Sequence, residues 1–378
     1  MSEMKYDFRS LERAAACGTA ILALCLLVTL TAACSGAWRG AGGPRATEAG
    51  ICSWFGDARG GVLYFGESTF WHALREAGGD ARADLASQAP QQIGRFDLAR
   101  EVLLPPLATG NAASHTGTWD VLAHPNGRVY FTSFYDPSGW VDPANRAAQR
   151  FDAAGTGLNE IALGPDGRLV VTRYGAPGGG DGSVVVLDPD GAIEAEHPLA
   201  PVAGAVVAAK SIAFDRTRGE IWVNTDILPR DGSPARYDAR VMDFASGREL
   251  ARITDPELHF PRFATDGRSF FAWLDGTRLS LRIGNAGDRP GPDTGRAILL
   301  DASFGTGLDF VQEVRDQPDG RVVVTRWSGV VHVVSAGDRV QTVQLPRTGE
   351  GFYYTAVATG DRVCATYCAG VTVTCASL

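Results

Sequence analysis

The stretch PDGRLVVTRY at 165–174 returns as PDGRVVVTRW at 318–327, changed only at its fifth and tenth letters. In looser form it occurs seven times: RGGVLYFGES (59–68), NGRVYFTSF (126–134), DGRLVVTRY (166–174), RGEIWVNTD (218–226), DGRSFFAWL (266–274), DGRVVVTRW (319–327) and GDRVCATYC (360–368). Each copy is a Gly-containing turn followed by β-branched and aromatic residues, the pattern of a strand leaving a hairpin. In Pro-Asp-Gly, Pro sets φ, Asp tolerates the bridge region and Gly takes a positive φ.

A strand precedes each copy: ICSWF, WDVLA, NEIAL, KSIAF, PRFA, QEVRD and YTAVA. A third follows most of them, as in GSVVVLD (182–188), ARVMDF (239–244) and VVHVVS (330–335), and a more polar fourth reads in ELARIT (249–254) and VQTVQL (340–345). Four antiparallel strands recurring roughly every 40–50 residues predict a β-propeller, because such a sheet cannot bury both faces alone and radial stacking does so. Seven copies predict seven blades, or six if the first or fifth copy is irregular. Two separate sandwiches would not explain one motif recurring through the whole chain. Composition agrees: 46 Gly and 20 Pro in 378 residues suit short strands joined by many turns.

The expected organisation is an export signal at 1–34, a Gly/Ala-rich tether at 35–50 and the propeller at 51–378. No charge occurs between Arg13 and Arg39, and the apolar run from Ala20 ends in small residues. Leu30-Thr31-Ala32-Ala33-Cys34 resembles a bacterial lipobox, which implies acylation at Cys34 and attachment to a lipid bilayer; Ser35 then favours the outer membrane. The alternatives are an uncleaved signal anchor, since the run could just span a bilayer, and an ordinary cleaved signal that leaves the protein periplasmic. Export leaves Cys52, Cys364, Cys368 and Cys375 in an oxidising compartment, where four cysteines allow three pairings. If Ala369-Gly370 is a two-residue turn, Cys364 faces Cys375 on one hairpin and Cys52 pairs with Cys368.

The formal charge of −8 excludes a general nucleic-acid binder, which needs a basic surface. No G-x-S-x-G or H-E-x-x-H is present, and the six histidines fall at unrelated repeat positions. If the first strand of each blade lines the channel, repeat alignment puts Cys52, Trp119-Asp120, Asn159-Glu160, Lys210-Ser211, Arg262, Gln312-Glu313 and Tyr353-Tyr354 around its mouth. The long second-to-third-strand loops of blades one to four, against the short ones of six and seven, point to binding of an envelope protein or small envelope ligand there. Trp71, Trp119 and Trp140 are candidate contact residues, with Arg173 and Arg326. A structural reading of the ring pairs Glu160 with Arg173 and Glu313 with Arg326 across strands.

LNEIALGPDGRLVVTRY at 158–174 resembles a blade of NHL-type and SMP-30/gluconolactonase-like propellers, a likeness extending over roughly 51–378. It implies six or seven blades. SMP-30-like propellers hold a catalytic divalent metal in the channel on Glu, Asp and Asn side chains. The positions here that match in type are Asp120, Asn159, Glu160 and Glu313, which would hold Ca²⁺. The resemblance thus implies, as the alternative to a binding module, a Ca²⁺-dependent lactonase or esterase.

Overall fold

A computed structural model describes residues 51–69, 91–112, 117–175, 180–254, 258–264, 266–291, 293–304, 309–347, 351–368 and 370–378. The expected Cys34 and Trp71 positions lie outside the described residues. Seven antiparallel sheets follow one another along the chain, spanning 52–108, 121–150, 158–198, 205–253, 258–301, 311–344 and 353–377. Six have four strands and the last has three. Strand order within each sheet is sequential, so every blade is a meander, and the chain is a seven-bladed β-propeller.

The apolar runs in the repeats are explained by packing on both faces. In blade 3, Val170 and Val184 pack against Ile212 and Val223 of blade 4. Their alternates Leu169, Val171, Val185 and Leu187 pack against Tyr130 and Trp140 of blade 2. A middle strand therefore has no solvent face and reads LVVTR or SVVVL, buried throughout. The fourth strand, Ile193–Pro198, is the blade's outer edge and is largely exposed. Each fully buried Val contributes about 1.5–3 kcal/mol, so the interfaces between blades are the hydrophobic core.

The two near-identical turns differ in detail. Asp166 is in the left-handed region at φ 53° beside Gly167 at 78°, whereas in the second copy only Gly320, at 82°, has a positive φ. Asp tolerates that region better than most side chains, so the expectation that Gly alone takes it is corrected for the first copy.

The innermost strands share a second irregularity. In six blades their ladder slips once, between Ser53 and Gly56, Leu158 and Ile161, Ala209 and Ser211, His259 and Arg262, Val311 and Glu313, and Tyr353 and Ala356. In blade 2, Trp119 N–H donates to the Thr132 carbonyl while Thr132 N–H donates to that of Asp120. Two residues thus oppose one, as in a β-bulge, and the extra residue re-aims the side chains around it.

The ring closes at blade 7. Cys52 of the first inner strand is disulfide-bonded to Cys368, and Cys364 to Cys375 across the last hairpin, the expected pairing. Ser53 N–H donates to the Gly370 carbonyl at 3.2 Å, and Thr372 N–H to Ser53 Oγ at 2.8 Å. Leu63, Phe65 and Phe96 pack against Val357, Cys364 and Val371 over the same seam.

Candidate functional site

The bulges build the site. Glu160 N–H donates to Thr172 Oγ1 at 2.9 Å and Asp120 N–H to Thr132 Oγ1 at 3.0 Å, while Glu313 lies opposite Thr325. The Thr at this place in the second strand therefore holds the bulged backbone in blades 2 and 3, Thr325 occupies the same place in blade 6, and an acidic residue stands at that point in each. Asp120 spends its oxygens on two backbone N–H groups, Val121 at 2.8 Å and Ile161 of the next blade at 3.0 Å. Asp57 does likewise with Ala58 and with Ala123 of blade 2. Glu160 accepts from the Ile212 N–H of blade 4. These carboxylates stitch one blade to the next.

Arg315 crosses the closing seam. Its guanidinium donates to Asp57 Oδ1 at 2.6 Å, to the Gly56 carbonyl at 2.6 Å and to Glu313 Oε1 at 2.7 Å. Burial opposes its charge, and Glu313 and Asp57 more than offset that penalty. Burial pushes the Asp120 carboxyl up to about 7; the two backbone donors and Arg262 oppose the shift, and the Glu313 charge adds to it. Glu160 is pushed up to about 8 by burial first and then by the charge of Asp120, with Arg262 again opposing. At neutral pH Asp120 and Glu160 retain protons that carboxyls in water would lose.

Of the residues expected at the mouth, the structure brings Asp120, Glu160, Glu313 and Arg262 into one electrostatic cluster. Asn159 donates its amide to the Lys210 carbonyl at 2.7 Å. Among the described residues, the only three His, Cys, Asp or Glu ligand atoms within 4.8 Å of one another are those of Glu101 and the disulfide pair Cys364 and Cys375.

The expected pairing of Glu160 with Arg173 and of Glu313 with Arg326 does not occur. The bulge sets Arg173 opposite Leu158 and Arg326 opposite Val311. Arg173 turns outward to Glu196 at 2.9 Å and to the Ala154 and Thr156 carbonyls, and Arg326 to Asp309 and Asp301. Both arginines are buried and fully engaged, Arg326 reaching back to Asp301 of blade 5 and Arg173 to the connection that precedes its own blade. Trp140 is likewise not on a loop: it lies in the strand Gly139–Val141, buried beneath the Arg128 guanidinium 4.0 Å from its ring.

The inner strands and the segments beside them also carry aromatic clusters. Trp54 stacks on Tyr354 at 4.2 Å between centroids and meets Trp119 at 5.2 Å; Phe55 meets Tyr354 at 5.2 Å. The line continues through Phe134 to Tyr174, whose hydroxyl donates to Asp226 at 3.2 Å. Trp327 lies 4.1 Å from both Phe310 and Phe352. Asp226 also pairs with Lys210 at 3.4 Å and holds its ammonium above the usual range.

Asp57, Arg315 and most of these rings escaped the repeat alignment. A signal existed for some: Phe134, Tyr174 and Trp327 occupy the same place just after the second strand, the tenth letter of the opening stretch. For Arg315 the signal was the alternation Glu313-Val314-Arg315, which puts two opposite charges on one strand face.

No family model matches the chain, and no curated protein does. Among solved structures, a streptogramin B lyase superposes with a TM-score of 0.56 at 11% identity, covering 88% of this chain and 96% of its own. The Dos1 propeller superposes with a TM-score of 0.51 at 12% identity, covering 87% and 93%. At such identity the likeness is one of fold, and it assigns no reaction.

Proposed function

We propose that this protein is an exported, lipid-anchored propeller that works as a binding module in the cell envelope. Residues 1–34 direct export, Cys34 carries the acyl anchor at the outer membrane, and 35–50 serve as the tether. Two disulfides in the propeller support an oxidising compartment. The observation that carries the binding reading is the uneven mouth. The second-to-third-strand connections after Phe131 and Pro229 run for several residues, whereas the last two blades turn back within a few residues of Arg326 and Cys368. A rigid ring that presents longer connections on one side, with aromatic clusters beside its inner strands, suits a partner engaged through blades one to four. That partner is an envelope protein or a small envelope ligand.

Two experiments test this. Cys34→Ser should release the full-length protein from membranes, and unchanged retention would refute acylation there. A photo-crosslinking residue at Tyr135 or Tyr237, which are 49% and 44% exposed on blades 2 and 4, should give a defined adduct in envelopes. The same residue at Ile193, on an outer strand, should give none; equal labelling at all three positions would sink the reading.

The rival is a Ca²⁺-dependent lactonase or esterase of the SMP-30-like kind, with Asp120, Asn159, Glu160 and Glu313 around the ion. The convergence of three of these carboxylates favours it. Among the described residues their carboxylate oxygens do not gather within 4.8 Å of one another, so one ion is not held by all three as they stand. Stoichiometric Ca²⁺ together with lactone turnover, both lost in an Asp120/Asn159/Glu160 triple substitution, would establish the rival.

A further inference from the structure

We propose that the carboxylate cluster of the channel is a binding site for an organic cation, an amine or guanidinium group. This rests on the binding-module reading and names the chemistry of what is bound.

The charges near the channel are unequal. Asp57, Asp120, Glu160, Glu313 and Asp316 form a chain of coupled carboxyls whose cations are Arg262, Arg315 and Lys210, the last already paired with Asp226 at 3.4 Å. Arg315 is consumed by Asp57 and Glu313. Arg262 donates to the Ile212 and Pro261 carbonyls, and among the described residues it forms no ion pair within 4.0 Å. Asp120 and Glu160 are thus left without a cation in direct contact.

A second observation is independent of that count. Glu313 is 4% exposed, and its Oε2 is buried with no hydrogen-bond partner while Oε1 is held by Arg315. A buried carboxylate oxygen without a donor carries an uncompensated desolvation penalty, which an incoming N–H group would recover.

Spacing decides the kind of cation. The cluster's oxygens are not gathered within 4.8 Å as a trio, which disfavours a bare divalent ion shared by three of them. A guanidinium or alkylammonium group spreads its N–H donors over a wider span and reaches separated acceptors. The rings of Phe55 and Trp119, half-buried against Trp54 and Tyr354 and close in sequence to Asp57 and Asp120, suit the same ligand, because aromatic faces attract organic cations. The cation can arrive as a free small molecule or as a Lys or Arg side chain of a partner, and the chemistry is shared.

The test titrates the full-length protein in detergent with agmatine, putrescine and a blocked Gly-Arg-Gly peptide, following tryptophan fluorescence and heat, with CaCl₂ and KCl at equal ionic strength as controls. Saturable binding with Kd below about 1 mM is expected for at least one organic cation. Glu313→Gln should weaken it by about tenfold or more, with Glu160→Gln as a second variant should the first not fold. Protons should be released on binding at pH 7, seen as heats that depend on the buffer. Saturation by the peptide alone assigns the cation to a partner's side chain; saturation by agmatine or putrescine assigns it to a free ligand. Either supports the site. No saturation by any of the three, unchanged affinity in both variants, or saturation by Ca²⁺ alone would overturn it. Loss of the envelope crosslinks with cation binding intact would sink the module reading and leave the site standing.

Discussion

Cys52 and Cys368 are 316 residues apart in sequence and covalently joined, linking the first innermost strand to the last blade. That blade has three strands among the described residues, so this seam lacks the fourth strand found in each of the other blades. The disulfide, two hydrogen bonds through Ser53 and the Arg362–Glu101 ion pair hold it together.

Removing the closing disulfide should therefore cost more than removing the hairpin one. By unfolded-chain entropy, the 316-residue span contributes about 5–6 kcal/mol and the 11-residue span about 3 kcal/mol. Guanidinium denaturation of Cys52→Ser/Cys368→Ser and Cys364→Ser/Cys375→Ser, compared with the unsubstituted protein, should give that order. Equal losses would show that the seam does not rely on Cys52–Cys368.

Arg315→Met should destabilise the protein by about 3–5 kcal/mol, because it strands Glu313 and Asp57 without their shared cation in a buried site. Adding Asp57→Asn and Glu313→Gln to that variant should recover much of the loss. A loss below about 1 kcal/mol would mean that the triad is solvated.

Asp120 and Glu160, whose folded-state carboxyls titrate near 7 and 8, should make stability fall as pH rises. Between the carboxylate pKa of the unfolded chain, about 4, and those folded values, the native state binds more protons than the unfolded state, so unfolding free energy decreases with pH. Their contribution is fully present at acid pH and lost as pH passes 7 to 8. Melting temperature measured from pH 4 to 9 should decline in this window, and Asp120→Asn/Glu160→Gln should flatten the slope.

Thr172→Val keeps the shape of the side chain but removes the hydroxyl that accepts from Glu160 N–H. A buried N–H then loses its partner, at about 1–3 kcal/mol. Cation affinity should fall with it, because the bulge that aims Glu160 is loosened. Val171→Ile, next to it but facing blade 2, should leave affinity unchanged.

Much of the architecture was legible because its signals are local. Pro-Asp-Gly turns, valine-rich middle strands and polar outer strands each follow from neighbours in the chain and from which faces are buried, and they recur often enough to count blades. Asp120, Glu160 and Glu313 could be chosen by aligning those repeats. The direction of Arg173 could not, since a one-residue bulge redirects side chains and leaves no mark in the letters. Trp140 was misplaced for a related reason: blade 2 has strands of only three residues, too short for their pattern to separate strand from loop.

By itself, then, the sequence determined seven hairpin units, the residues at the start of each inner strand and the cysteines available at the two ends. Only the tertiary structure decided which of those residues meet. Arg315 reaches Asp57 across 258 residues of chain, a contact that exists because the ring closes and brings the inner strand of the sixth blade within side-chain reach of the first, past the seventh. No local preference encodes that proximity. It follows from the packing of blade against blade around the whole circle, and the charge imbalance of the channel follows from it in turn.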